Sequence, residues 1–238
     1  MSVPFFYISE YNNGQKEIEL DEDSSRHVVQ VLRMQSGEKL NLTDGKGNLI
    51  TAEIINAHKK YCSVRELVSH FTSPVSRKVT IAISLLKNAS RFEWFLEKAT
   101  EIGITEIIPL LCERTEKEKF RFDRMKGICV SAMLQSQQVW LPVLHEPKKF
   151  EDLEIWKCAD GSNFIAHCTD DKKQELSHLQ TSKSSNLLIA IGPEGDFTNE
   201  EIALALQHNF IPVSLGETRL RTETAGIVAA VMLAMNRL

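Results

Sequence analysis

Apolar residues along the first 71 positions come in short runs with a two-residue rhythm, the signature of half-buried strands. Val3 to Ile8, Glu38 to Leu42, Asn48 to Ile55 and Tyr61 to Val68 are strand candidates, and Asp44-Gly45-Lys46-Gly47 is a turn between two of them. Asp23-Ser24-Ser25 precedes a helix-like run to Met34, with Ser24 or Asp23 as its N-cap. Several short strands with one helix suggest a small barrel. Thr72-Ser73-Pro74-Val75-Ser76 reads as a linker, which places one domain at 1–72 and another at 77–238.

Beyond the linker the rhythm changes. Val79 to Leu86 is a continuous apolar run, the pattern of a strand buried on both faces. From Ala89 to Ile102 the apolar residues Phe92, Phe95, Leu96 and Ala99 recur at spacings of three and four, which predicts a helix that Gly103 stops. Ile104 to Leu111 is a strand and Phe120 to Val139 a second helix. Strands at Phe164–His167, Leu187–Ile191 and Ile211–Leu215 follow, interleaved with helices at Asn199–Gln207 and Thr222–Asn236. Alternating strands and helices predict an α/β domain, a mostly parallel sheet covered by helices.

Composition narrows this little. The chain has 238 residues, 42% apolar and 25% charged, as an ordinary globular protein does. It carries no apolar run long enough to span a membrane and no signal-peptide pattern at its start. Five scattered cysteines, Cys62, Cys112, Cys129, Cys158 and Cys168, form no C-x-x-C pair and read as reduced thiols of a cytosolic protein, with no metal site expected. The net charge of −4 is that of no general polyanion binder, yet only the local field at a contact surface matters. Residues 77–126 hold eleven Lys/Arg against eight Asp/Glu, a small local excess.

The chemistry concentrates in two segments near the C-terminus. One is Ile191-Gly192-Pro193-Glu194-Gly195, the other Leu215-Gly216-Glu217-Thr218-Arg219-Leu220-Arg221-Thr222-Glu223-Thr224-Ala225-Gly226. Each follows an apolar strand and leads into a helix. Glycines there let a ligand approach the main chain, and polar tips after parallel strands are where open α/β sheets bind ligands. Two such tips can form one pocket made largely of backbone. The plain alternative for the first is a tight turn with Thr198 as N-cap and Glu200-Glu201 in the first helical turn. It lacks a P-loop lysine pattern, and Glu194 repels an anion, so a cationic ligand fits better. In the second, Thr222 is a candidate cap, while Arg219 and Arg221 are placed to grip phosphate or carboxylate. His167 ends an apolar strand, where it either packs or lines the pocket. Arg26 and Arg33, seven apart on the early helix-like run, share a face.

IGPEG and LRTETAG closely resemble the RsmE family of RNA methyltransferases, in the SPOUT superfamily. The resemblance extends over nearly the whole chain, through Arg26-His27, Val31-Leu32-Arg33 and Lys98-Ala99-Thr100-Glu101-Ile102-Gly103. It implies a PUA-like N-terminal barrel, a trefoil-knotted C-terminal sheet, a homodimer, S-adenosylmethionine as cofactor, and methylation of uridine N3 in 16S ribosomal RNA within the small subunit. It further implies cofactor contacts from Ile191, Gly192, Pro193, Glu194, Gly195, Leu215, Gly216, Leu220 and Thr222, to which the strand-end position adds His167. RNA contacts are implied for Arg26, Arg33, Lys87, Arg91, Arg114, Gln135 and Arg219. Three departures touch individual RNA contacts: Pro4 before Phe5-Phe6, Gln138-Val139 after Gln135-Ser136, and Thr218 where many relatives place the arginine.

Uridine N3 is an imide nitrogen and a poor nucleophile until its proton leaves. The transition state wants a proton acceptor and positive charge near the flanking carbonyl oxygens. Arg221 is the candidate for that charge; Glu223 either accepts the proton or orients Arg221. A structural reading instead pairs Arg221 with Glu223 to tighten the loop. Rival functions are a related methyltransferase acting on a ribose 2′-hydroxyl or a tRNA base, and a non-catalytic RNA-binding assembly factor.

Overall fold

In the N-terminal region Ile50, Ala52 and Ile54 alternate with more exposed neighbours and are almost fully buried, as a two-residue rhythm dictates. The computed structural model describes residues 3–12, 14–152, 157–159, 161–169, 172–179 and 186–235. Contacts divide the chain into two units, one of Met1–Pro74 with Met133–Leu141 and one of Val75–Ala132 with Pro142–Leu238.

In the first unit, strands β1 (Phe5–Tyr7), β2 (Glu17–Glu19), β3 (Lys39–Thr43), β4 (Asn48–Asn56) and β5 (Ser63–Phe71) form one sheet in the order β1-β3-β4-β5-β2. Phe6, Ile18, Leu40, Leu42, Ile50 and Val64 fill its core. The predicted turn is built on Asp44, whose carboxylate accepts from Lys46 N at 2.9 Å and Asn48 Nδ2 at 2.7 Å. The predicted helix is corrected in two ways. Asp21, not Ser24 or Asp23, caps α1 (Glu22–Arg26), accepting from Ser24 N at 2.7 Å. Ser25 is buried, donating to Leu20 O and accepting from Cys62 N, so it ties the helix to the strands. A wider π-helical turn, His27–Val31, then ends the helix, and Arg33 lies beyond it with φ 57°. The helical-face argument pairing Arg26 with Arg33 therefore fails, because no continuous helix joins them.

The second unit holds β6 (Val79–Ser84), α2 (Ala89–Ile102), β7 (Glu106–Leu111), most of α3 (Phe122–Gln135), β8 (Val143–Leu144), β9 (Lys148–Lys149), β10 (Gly161–Ala166), β11 (Gln174–Glu175), β12 (Asn186–Ile191), α4 (Asn199–Gln207), β13 (Ile211–Ser214) and α5 (Thr222–Met235). Its sheet runs β11-β13-β10-β12-β6-β7-β8, with β9 also on β7, and every pairing is parallel. All six β6 residues are buried. Ile83 faces α5. A Cβ on Gly226 of α5 would lie 2.7 Å from Phe95 and 2.9 Å from Ile83, so only glycine allows this approach. In the other layer Ala82, Leu188 and Ala190 pack with Ile202 and Ala205 of α4. Thr198 caps α4 in a reciprocal capping box with Glu201. Gly103 ends α2 in the left-handed conformation, φ 86°. Helix α5 begins at Thr222, so Arg221 and not Thr222 precedes it; Ala225 N donates to Arg221 O at 2.7 Å. The five cysteines are free thiols, and burial pushes Cys129 up to about 11. No helix among the described residues is long and apolar enough to cross a membrane.

Candidate active site

Parallel pairing brings three strand ends together: Ala166 of β10 lies beside Ile191 of β12 on one side and Val213 of β13 on the other. The chain leaving each strand forms one wall of a cavity of about 590 Å³, a size suited to a cofactor. His167, Cys168 and Lys173 supply one wall, Gly192, Pro193, Glu194 and Asp196 another, and the chain from Ser214 to Thr222 the third.

Each loop is held by its own bonds. Asp196, at φ 64°, accepts from Cys168 N at 2.8 Å and from Phe197 N at 2.9 Å, so one carboxylate ties the first two loops. Arg114 donates to Gly195 O at 2.6 Å, and Lys87 N donates to Glu194 Oε1 at 3.2 Å. Lys173 Nζ donates to His167 O at 2.9 Å, and the His167 ring pairs with Thr169 Oγ1 at 2.7 Å. In the third loop Ser214 Oγ brackets Gly216, which has φ 133°. A Cβ on Gly192 would meet Phe197 at 3.1 Å. The two glycines thus serve different needs, conformation at 216 and close packing at 192.

Of the sequence-predicted cofactor residues, His167, Ile191, Gly192, Pro193, Glu194, Leu215, Gly216, Leu220 and Thr222 line the cavity, as do Arg219 and Arg221. Gly195 is absent from the lining, its carbonyl turned to Arg114. Glu223 also stands outside it. It is 7% exposed, with Oε1 3.7 Å from Arg91 Nε and Oε2 without a hydrogen-bond partner. Its ion pair is with Arg91, so the expected pairing with Arg221 is not formed. Lys87 pairs with Glu116 at 2.7 Å, and Arg26 with Glu22 and Asp23. Arg33 and Gln135 are exposed on the first unit.

Sequence reasoning missed the first loop's Cys168 and Lys173, together with Asp196. His167 at a strand end was the one available signal. That β10 lies between β12 and β13 is a tertiary fact with no local signature. The lining carries three carboxylates, Glu194, Asp196 and Glu217, against Lys173, Arg219 and Arg221. That balance does not make a phosphate cradle. Apolar Ile191, Val213, Leu215 and Leu220 beside main-chain groups and acids suit a flat, uncharged ring joined to a cationic centre, and S-adenosylmethionine has that chemistry.

Comparison with known proteins agrees on the class. Residues 73–234 match the family model described as an RNA methyltransferase domain, and residues 20–67 the one described as an RNA methyltransferase PUA domain. A ribosomal RNA small subunit methyltransferase E from Rickettsia conorii is 30% identical over 94% of this chain and 91% of its own length. The crystal structure of a probable rRNA methyltransferase from Porphyromonas gingivalis superposes with a TM-score of 0.89 at 35% identity, over 99% of this chain and 98% of the other. A ribosomal RNA small subunit methyltransferase E from Neisseria gonorrhoeae, crystallised with S-adenosylmethionine, gives 0.87 at 26% identity, over 98% of both chains. A PUA domain followed by an RNA methyltransferase domain defines the class. Within it, the chain belongs to the ribosomal RNA small subunit methyltransferase E family.

Proposed function

We propose that this chain transfers a methyl group from S-adenosylmethionine to N3 of a uridine in 16S ribosomal RNA of the small subunit, in the cytoplasm and as a homodimer. The observation that carries the reading is the three-loop cavity with Arg219 and Arg221 in its lining, in a chain that matches a cofactor-bound relative along its length. When bound, the cofactor supplies an activated methyl group. The glycine turns at 192 and 216 let main chain approach it closely. Asp196 and Arg114 fix the loops that orient it. Orientation matters because in-line placement of donor and acceptor can remove a large part of the barrier to such a transfer.

Arg221 is exposed within the cavity lining and supplies positive charge to the uracil oxygens as the N3 proton leaves. Arg219, two residues earlier and also exposed, is the RNA contact nearest this chemistry. Glu223, set against Arg91 on α2, positions the start of α5 and so the backbone of Arg221. The homodimer is supported by α5 itself. From Thr224 to Met235 it has no charged residue. Gly226, Ala229, Ala230 and Leu233 are buried within the unit, while Val231 and Met235 are 40% and 67% exposed. Light scattering that gives a monomer at micromolar concentration, with transfer intact, would contradict it. The knot implied by the family is supported by the chain path: after β12 it crosses β10 to place β13, then returns to α5 against α2 and β6.

The test is transfer of labelled methyl from S-adenosylmethionine to small subunits, and to free 16S RNA, from cells lacking the modification. Incorporation into either substrate supports the proposal, and the better substrate identifies the assembly state. Cofactor binding without transfer to either would favour the non-catalytic reading.

A further inference from the structure

The same sheet has a second cavity, of about 340 Å³, that shares no residue with the first. Its floor is set by strand register. Leu188, Thr80 and Glu106 lie side by side across β12, β6 and β7. Side chains two apart point the same way, so Lys78 joins Thr80, Ile108 joins Glu106, and Asn186 joins Leu188 on one face. All six line the cavity, with His145, Lys148, Lys157 and Cys158 around them. Lys78, Glu106 and Asn186 stand where their strands begin, whereas the cofactor cavity stands where strands end. Asn186 and Gly192 are six residues apart on one strand line, about 20 Å at the strand rise.

Among the described residues the lining carries three lysines against one carboxylate, and that carboxylate is already committed. Glu106 Oε1 pairs with His145 Nε2 at 2.5 Å, and Oε2 accepts from Thr80 Oγ1 at 3.0 Å. Its pKa is held below the usual range, first by the His145 hydrogen bond, against burial, which raises it. It stays charged and bonded. Among the described residues no carboxylate lies within ion-pair distance of Lys78 or Lys148. Asn186 Oδ1 accepts from Lys78 N at 3.0 Å, which leaves the Asn186 amide N–H groups to donate. With the ammonium groups of Lys78 and Lys148, an amide donor and an engaged carboxylate, the described lining has a surplus of positive charge and of donors. An oxyanion rich in acceptor oxygens matches those donors, and lysines bind phosphates as point charges.

We propose that this cavity is an anion site for a phosphate group, held by Lys78 and Lys148 and bounded by the Glu106–His145 pair. Two sources share that chemistry, a phosphodiester of the RNA substrate and the phosphate of a free small molecule.

The probe is inorganic pyrophosphate, titrated calorimetrically into the full-length protein and into a Lys78→Ala/Lys148→Ala variant, at low salt. Expected is binding to the parent protein and at least tenfold weaker binding to the variant. Unchanged S-adenosylmethionine affinity would show that the variant is folded. Lys78→Gln alone, at an exposed position, repeats the comparison if the double variant misfolds. Equal pyrophosphate affinity in parent and variant, or none in the parent, overturns the proposal. Where the site holds, 16S RNA affinity assigns its source. A fall with a smaller salt slope, by about 0.7 to 0.9 for each phosphate no longer neutralised, points to the RNA backbone. Unchanged RNA affinity points to a free phosphorylated molecule.

Discussion

Alanine in place of Gly216 adds one methyl group to a position with φ 133° and no atom within 4 Å of the new Cβ. The cost is therefore conformational rather than steric. Holding a non-glycine residue in such a region costs about 1–3 kcal/mol. If the loop keeps its shape, the whole cost falls on stability, which for a domain of this size lowers Tm by roughly 2–12 °C. If the loop relaxes when empty, the cost falls on cofactor binding, a roughly 5- to 150-fold weaker Kd at 1.4 kcal/mol per tenfold. The two losses should together account for the same 1–3 kcal/mol. Calorimetric unfolding and S-adenosylmethionine titration of one preparation measure both. Gly37→Ala is the control: φ is 93°, the space is open, and the position lies in the first unit. It should lower stability and leave cofactor affinity alone. Unchanged Tm and unchanged Kd in Gly216→Ala would refute the reasoning.

Three further outcomes are expected. Arg221→Ala should lower single-turnover methylation about 100-fold or more while cofactor affinity holds, because its charge acts mainly on the developing uracil anion; full single-turnover activity would remove its chemical role. Glu223→Gln should lower Tm and leave the pH–rate profile of transfer in place; loss of the profile's acidic limb would return Glu223 to the role of proton acceptor. The folded pKa of Glu106 lies below its unfolded value, so its stabilisation is present above about pH 4.3 and fades as pH falls through the lower folded value. Urea unfolding of wild type and Glu106→Gln should thus differ most near neutral pH and converge in acid, and a gap that widens on acidification would contradict the sign.

The readable parts of the fold were those with strong local signals. Phe92, Phe95, Leu96 and Ala99 fix α2 by spacing, and Gly103 ends it at the expected residue. The continuous apolar run of β6 and the Thr198 cap also stand in the sequence. Of the strands of two or three residues only β1, within Val3 to Ile8, was readable. Ile18 alone marks β2, and Gln174-Glu175 has no apolar residue at all. The cavity was half legible. Two glycine turns announced two of its loops, while the third enters only through the order of parallel strands. Glu223 shows the limit most sharply. Arg221, just before α5, lines the cavity, while Glu223, in the first turn of the helix, faces Arg91.

The central claim is that the methyl group arrives on uridine N3. Purified protein, S-adenosylmethionine and small-subunit RNA from cells lacking the modification can be incubated, and the RNA digested to nucleosides for mass spectrometry. The account predicts 3-methyluridine rising to about one per RNA molecule, and its absence when Arg221→Ala replaces the wild-type protein in single-turnover time. Label found on a ribose 2′-oxygen or on another base, with no 3-methyluridine, would contradict it.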